Sequence, residues 1–342
     1  MTDRHVHLVG TVPADDTKAA LELFADKLGD RLPPWVPDGE TGARLNWIQR
    51  IVEDLRRHPD LRLAQDGDWS DYGKTPSFEV APNRSFTTLD LDYFQYFEQS
   101  WPAFQEFRGS LDRPVSLQVG IPGHLDLALG AFGFKPAAAL RNVAPFRDAT
   151  VREITLIQNT AGDDVVFQME IPIPLILLTR LPRRSQPLAA GRIAAELLKV
   201  VRRTRRGTRF GIHLCYGDMN HRSMAEPEDT RPAVLLANSL VKQWPQAQTL
   251  EFVHMPFGRG IEPPPADDEF YSPLAELRLS PGVRFAAGIV HEARGVEELR
   301  RLRDRIERLV GGSVDLAAAC GLGRRDRDRA ERNLELARAL TE

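Results

Sequence analysis

The sequence predicts a (β/α)8 TIM barrel in a single domain, and three observations carry that prediction. From Arg209 onward, short apolar runs alternate with helical runs four times in succession, the pattern of parallel strands joined by helices. Residue types that bind metals or move protons recur at or near the ends of those strands, where such a barrel gathers its chemistry. The chain is 342 residues long and 42% hydrophobic, with no linker, internal repeat or low-complexity tract to mark a second domain; barrels of this size form single domains.

The elements follow in order. His5 to Val12 reads as a first strand, ended by Pro13, and Thr17 to Leu28 carries helical spacing through Ala20, Leu21, Leu23, Phe24 and Leu28. Two glycines and a proline make Pro37-Asp38-Gly39-Glu40-Thr41-Gly42 a loop, which feeds a helix over Arg44 to Arg57. Residues 60–113 resist assignment and read as an insertion or lid over the barrel mouth. Within it, Tyr93 to Phe107 holds seven aromatics in fifteen residues, which favours a packing layer over a ligand cage. Pro114 to Ile121 alternates as a strand, and helices are expected over Asp126 to Phe132 and Pro136 to Arg147. Asp164 to Pro172 is a strand and Ala190 to Arg206 a helix with a solvated basic face. Strands at Arg209 to Cys215, Thr249 to His254, Arg284 to His291 and Ser313 to Ala318 each precede a helix: Arg231 to Trp244, Asp267 to Leu277, Val296 to Val310 and Asp326 to Leu340. Seven strands are thus visible, and the eighth is expected within 60–113.

Composition excludes several classes of partner. A net charge of −3 leaves no electrostatic footprint for nucleic acid or an acidic membrane. No apolar run reaches the ~20 residues needed to span a bilayer, and Met1 to His5 lacks the apolar core of a signal peptide. Two cysteines make no disulfide framework. A cytoplasmic protein with both thiols reduced is expected.

Those two cysteines frame the candidate site. Gly211-Ile212-His213-Leu214-Cys215-Tyr216-Gly217-Asp218 is a strand running into a Gly-Asp loop. Strand alternation puts His213 and Cys215 on one side, half of a tetrahedral zinc site. The next strand carries Glu251, a later one ends at His291, and Cys320 directly follows the last. His213, Cys215, Glu251 and Cys320 are the expected Zn2+ ligands. Two thiolates, a carboxylate and an imidazole give a zinc complex of net negative charge, poorly suited to polarising carbonyls and well suited to holding a substrate thiol as thiolate. The expected chemistry is alkyl transfer to sulfur, with a small-molecule thiol acceptor and an alkyl donor as partners. Asp38 and Glu40, on the loop after the first β-α unit, are candidate substrate contacts.

The motifs His213-Leu214-Cys215-Tyr216, Thr249-Leu250-Glu251 and Cys320-Gly321-Leu322 resemble, in order, the three zinc-ligand motifs of cobalamin-independent methionine synthase. Gly288-Ile289-Val290-His291 is similar to that family's strand ending in a catalytic histidine. Gln168-Met169-Glu170-Ile171-Pro172 stands where the family has a Gln-x-Asp-Glu-Pro strand. The resemblance covers about residues 110–342 and the first strand. It implies a proton-donor role for His291 and places Glu170 against the amino group of an amino-acid thiol. The sequence departs from the family at Glu170 and Ile171, lacks its serine-rich segment ahead of the His213 strand, and carries an apparent insertion at Gly217 to Arg231. The chain looks more like short superfamily members with a His-x-x-Gly-Ser/Thr-x-Pro start and a Pro-Asp-Gly-Glu-Thr-Gly loop.

Two other readings stay open. A metal-dependent hydrolase or lyase would use His5 and His7, as amidohydrolase barrels use a His-x-His pair, although here the pair begins its strand rather than ending it. A zinc-free decarboxylase or binding protein on the same barrel would leave the grouping of His213, Cys215 and Cys320 unexplained. His58, His124, His221 and His254 are weaker candidates, and His254, three residues after Glu251, is expected on the opposite strand face. Oligomeric state is not legible.

Overall fold

The computed structural model describes residues 4–342. Its centre is a curled, all-parallel sheet of seven strands. These are β1 (Trp35–Pro37), β4 (Ser116–Pro122), β5 (Val165–Ile171), β6 (Arg209–Leu214), β7 (Thr249–Pro256), β8 (Arg284–Val290) and β9 (Asp315–Ala318), paired in that order. β2 (Leu61–Gln65) and β3 (Ser77–Val80) form a separate antiparallel hairpin. The helices are α1 (Thr17–Leu28), α2 (Trp47–Asp54), α3 (Tyr93–Gly109), α4 (His124–Ala131), α5 (Pro136–Arg141), α6 (Val143–Ala161), α7 (Pro172–Thr179), α8 (Gln186–Val201), α9 (Arg231–Gln243), α10 (Asp268–Tyr271), α11 (Val296–Val310) and α12 (Arg327–Ala339).

Most predicted elements are present with small shifts at their ends. Four expectations are corrected. First, His5 to Val12 is not a full strand. Val6 makes one isolated parallel bridge to Leu316, and the Val6 and Val12 amides donate to the carbonyls of Arg31 and Gly39. The carbonyls of Leu8 and Val9 turn instead to buried amides, accepting from Gln118 Nε2 at 2.8 and 3.1 Å, and Val9 also from Gln168 Nε2 at 2.6 Å. Side chains thus replace the ladder there. The segment lies between the edge strands β1 and β9, and a closed ring of eight strands is not formed among the described residues. Second, residues 60–113 hold no eighth barrel strand, only the β2–β3 hairpin and α3. Third, β1 was missed because Pro33 and Pro34 precede it and Pro37 is its last residue, and proline reads as a strand breaker except at edges, where β1 lies. Fourth, α7 and the C-terminal part of α6 were not foreseen. α7 opens on two prolines at positions where their missing N–H groups cost nothing.

The aromatics of α3 are a packing layer, as expected. Phe97, Trp101 and Phe104 stack in series with ring centroids 5.2 and 5.7 Å apart. The main apolar core lies between the sheet and its helices, and Trp35, Val166 and Phe252 form a separate plug. Above that plug, β5 presents Gln168 and then Glu170 at alternate positions, so the strand face becomes polar toward its C-terminal end. The basic residues after α8 are held at the surface: Arg203 pairs with Asp148, Arg205 with Asp163, and Arg202 donates to the Gln243 carbonyl.

Candidate metal centre and active site

The strand ends deliver a compact donor set. His213 is the fifth residue of β6, Cys215 follows that strand, and Cys320 follows β9. One donor atom from each lies within 4.8 Å of the others, the one such group of three among the described residues. The two sulfurs stand 3.8 Å apart. That is too far for a disulfide and matches the edge of a tetrahedron with zinc–sulfur bonds of about 2.3 Å, which is about 3.8 Å. The Cys320 thiol beside it, together with burial, pushes the Cys215 thiol well above its usual range. A bound cation would remove that penalty, because metal coordination deprotonates a thiol outright. The donor set therefore fits a zinc ion with three protein ligands and a fourth position left open.

Glu251 is not among them. β7 carries a bulge against β6: Phe210 pairs with Leu250 and Gly211 with Phe252, leaving Glu251 as the extra residue. Its carboxylate accepts from Arg209 Nε at 2.5 Å, and Arg209 also donates to Ser116 Oγ. All three residues sit near the N-terminal ends of their strands, opposite the cysteines. The bulge also reverses the phase of everything after it. His254, expected on the opposite face, is brought to the site with its Nδ1 2.7 Å from that of His213. A single extra residue in an otherwise regular strand leaves no mark on the sequence pattern, and the error follows from that.

Beside the sulfurs two carboxylates converge. A Cβ placed on Gly120 would stand 2.4 Å from Glu40 Oε1 and 3.0 Å from Glu170 Oε1, so glycine is required there for both to enter. Glu40 adopts a φ of 43°, a region sparsely populated by residues with a side chain and one that concentrates at functional positions. The turn is fixed by Asp38, which accepts the Glu40 amide at 3.0 Å and pairs with Arg44 in a buried salt bridge. Burial, reinforced by the neighbouring Glu170 and Asp38, pushes the Glu40 carboxyl well above its ordinary range. Burial raises Glu170 to about 7. Like charges in a dry pocket cannot both ionise unless a cation joins them.

These groups open on a cavity of about 180 Å3 lined by Glu40, Glu170, His213, Cys215 and Cys320 at its base. Its wall is apolar, with Trp47, Ile48, Val52, Phe134, Ile173 and Ile176, and it is also lined by the buried Asp218 and by Arg324, 3.7 Å apart. Trp69 and Tyr72, from the segment between β2 and β3, also line it. Tyr72 ties that segment to the loop after β6: its hydroxyl accepts the Met219 amide at 2.9 Å and donates to the Arg222 carbonyl at 3.0 Å. Neither Trp69 nor Tyr72 was expected individually; a Trp and a Tyr in a polar stretch were the available signal.

Two other expected site residues lie outside the cavity. Asp38 serves Arg44 and the turn rather than facing the cavity. His291 is 3% exposed and does not line it; its Nδ1 accepts the Ala293 amide at 3.1 Å, and burial lowers its pKa. His7 packs at a tilt of 54° against Phe252 and nearly parallel to His254, with centroids at 4.5 and 5.4 Å, and accepts from Trp35 Nε1. The His5 amide donates to Asp315 near the start of β9. His5 and His7 thus do not join the donor group, which removes the support for a hydrolase built on them. His124 is buried beside Glu196, 3.5 Å away, elsewhere in the fold.

Three solved structures share this fold over nearly the whole chain. A B12-independent methionine synthase from Shewanella sp. W3-18-1, in complex with selenomethionine, matches with a TM-score of 0.59 and 12% identity, covering 98% of this chain and 96% of that one. A methyltransferase from Methanosarcina mazei matches at 0.52 and 13%, covering 99% and 94%. A putative vitamin-B12 independent methionine synthase from Listeria monocytogenes matches at 0.50 and 12%, covering 98% of each chain. No family model and no curated protein sequence matches the chain. The structural neighbours are thus cobalamin-independent methionine synthase-like proteins and a methyltransferase, in keeping with the resemblance carried by the motifs.

Proposed function

We propose that this protein is a zinc-dependent transferase that moves a methyl or other alkyl group onto a thiol carrying an amino group. The observation that carries the reading is the pair of sulfurs 3.8 Å apart beside His213, with two carboxylates converging next to them. His213, Cys215 and Cys320 hold the metal. When bound, zinc would keep the acceptor thiol ionised and nucleophilic at neutral pH. Glu40 and Glu170 receive the substrate ammonium, whose positive charge relieves their mutual repulsion. The apolar wall excludes water from the transferring group, and the segment bearing Trp69 and Tyr72 caps the cavity.

His291, 3% exposed and outside the cavity lining, would serve as proton donor to the departing alkyl carrier only after a rearrangement that brings it to the cavity. The segment around Val6 acts as the closing element between β1 and β9. The reduced thiols fit a cytoplasmic setting, and no helix is long and apolar enough to cross a membrane among the described residues.

The reading is tested by calorimetry of zinc-loaded protein with homocysteine and with the same thiol lacking its amino group. Both thiols should bind with release of a proton, seen as a dependence of the heat on buffer ionisation, because a thiol becomes a thiolate on the metal, and homocysteine should release more, because its ammonium draws Glu40 and Glu170 to their carboxylate forms. The desamino thiol should bind at least ~10-fold more weakly, the worth of one charge-assisted contact. Binding without proton release, or equal affinity for both thiols, would remove the thiolate or the amine part of the reading respectively.

A further inference from the structure

The hydrogen bonds behind His213 determine which of its nitrogens faces the sulfurs. His254 Nε2 lies 3.0 Å from the Ala318 carbonyl oxygen. A carbonyl only accepts, so His254 Nε2 carries the proton and donates. In a neutral ring Nδ1 of His254 is then a bare acceptor. That atom lies 2.7 Å from His213 Nδ1, which must therefore be the donor. A neutral His213 protonated at Nδ1 leaves its lone pair on Nε2, the nitrogen that remains for the cysteine pair.

The slot for His254 is shaped for it. Its ring lies edge to edge with that of His213 at an interplanar angle of 29°, centroids 4.7 Å apart, and nearly parallel to that of His7 at 5.4 Å. Across from it stands Gly288, where a Cβ would come within 2.9 Å of both His254 Nε2 and the Met255 carbonyl oxygen, so a side chain there would crowd the nitrogen that donates to Ala318. The carbonyl acceptor belongs to β9, just before Cys320, so the relay also ties the His213 strand to the one that delivers the second thiolate.

We infer that His254 is a positioning residue that fixes the His213 tautomer, presenting Nε2 to the metal through the relay Ala318 carbonyl, His254, His213. Histidine ligands are held in this way by a partner on their second nitrogen, and loss of such a partner weakens metal binding. The inference rests on the zinc reading for its function, while the tautomer itself does not.

The test has two parts. In metal-free protein, nitrogen-15 histidine spectra should show His213 protonated at Nδ1 in the wild type and a mixture of tautomers in His254→Leu. Zinc affinity measured by chelator competition should fall about 10–100-fold in His254→Leu. In His254→Gln it should stay within ~3-fold of wild type, because a side-chain amide can accept from His213 and donate to Ala318. Circular dichroism on each variant identifies any that fails to fold, and His254→Gln keeps the proposal testable if His254→Leu does so. A wild-type His213 protonated at Nε2, or equal zinc affinity in His254→Leu and wild type, would overturn the inference. Equal loss in both variants would also overturn it, by making His254 a ligand itself. A wild type that takes up no zinc would remove the metal reading instead, leaving the tautomer to be decided by the spectra.

Discussion

Glu170 is the residue whose ionisation the account ties most closely to turnover. Its raised pKa, about 7 against an ordinary 4.5, means that the free protein carries it protonated below neutrality. An ammonium needs the carboxylate. The second-order rate constant for an amino thiol should therefore fall as pH drops through about 7. In Glu170→Gln the part of that limb owed to Glu170 should go, leaving only the one set by Glu40, and the rate at pH 8 should drop by about 10–100-fold, the loss of one charged hydrogen bond. Stability moves the other way. A carboxyl whose folded pKa is raised binds more protons folded than unfolded, so stability declines as pH rises from about 4.5 to 7 and is flat above. Glu170→Gln should raise stability at pH 8 by roughly 1–3 kcal/mol, read by urea denaturation; a variant less stable than wild type would contradict the assignment. Glu251→Ala gives the complementary result. It should leave zinc content unchanged and cost about 1 kcal/mol through the lost pair with Arg209. Glu170, His213, Cys215 and Cys320 were legible because each sits at a strand end and strand ends are visible as pattern. Glu251 and His254 were exchanged because the bulge that reverses their faces is a backbone event.

At the scale of elements, the turn after β1 and the hairpin tip between β2 and β3 do what the strands cannot. The turn brings Glu40 over Gly120, and a Gly120→Ala methyl would collide with both carboxylates. The variant should lose about 1–3 kcal/mol of stability, the usual cost of overpacking, and bind the amino thiol no better than its desamino analogue; stability and discrimination both unchanged would show that the turn does not depend on that glycine. The hairpin tip is anchored by Tyr72. Tyr72→Phe leaves the Met219 amide without its acceptor, so KM should rise more than kcat falls and the tip should become more readily cleaved by protease. Residues 60–113 could not be read from sequence because their order comes from contacts across the cavity, such as Tyr72 to Met219, rather than from periodicity. The N-terminal segment misled for a related reason. Its residues are apolar and β-prone, yet its Leu8 and Val9 carbonyls are satisfied by Gln118 and Gln168 from strands more than a hundred residues away.

Across the whole molecule, the parallel sheet places every cavity-lining carboxylate, thiol and imidazole at one end of the strands, while ion pairs such as Arg284 with Asp315 and Arg209 with Glu251 occupy the other. That polarity, not any single motif, is what the alternation of strands and helices made readable; the fold itself is shared with two methionine synthase-like structures and a methyltransferase at about one residue in eight identical. The claim on which the rest depends is that one zinc ion sits between Cys215 and Cys320. Elemental analysis of protein purified without chelator measures it directly, with wild type, Cys320→Ser and Glu251→Ala in parallel. The account predicts about one zinc per chain in wild type and in Glu251→Ala, and little or none in Cys320→Ser. A folded wild type without zinc, or a Cys320→Ser variant that keeps it, would contradict the site and the thiol chemistry built on it.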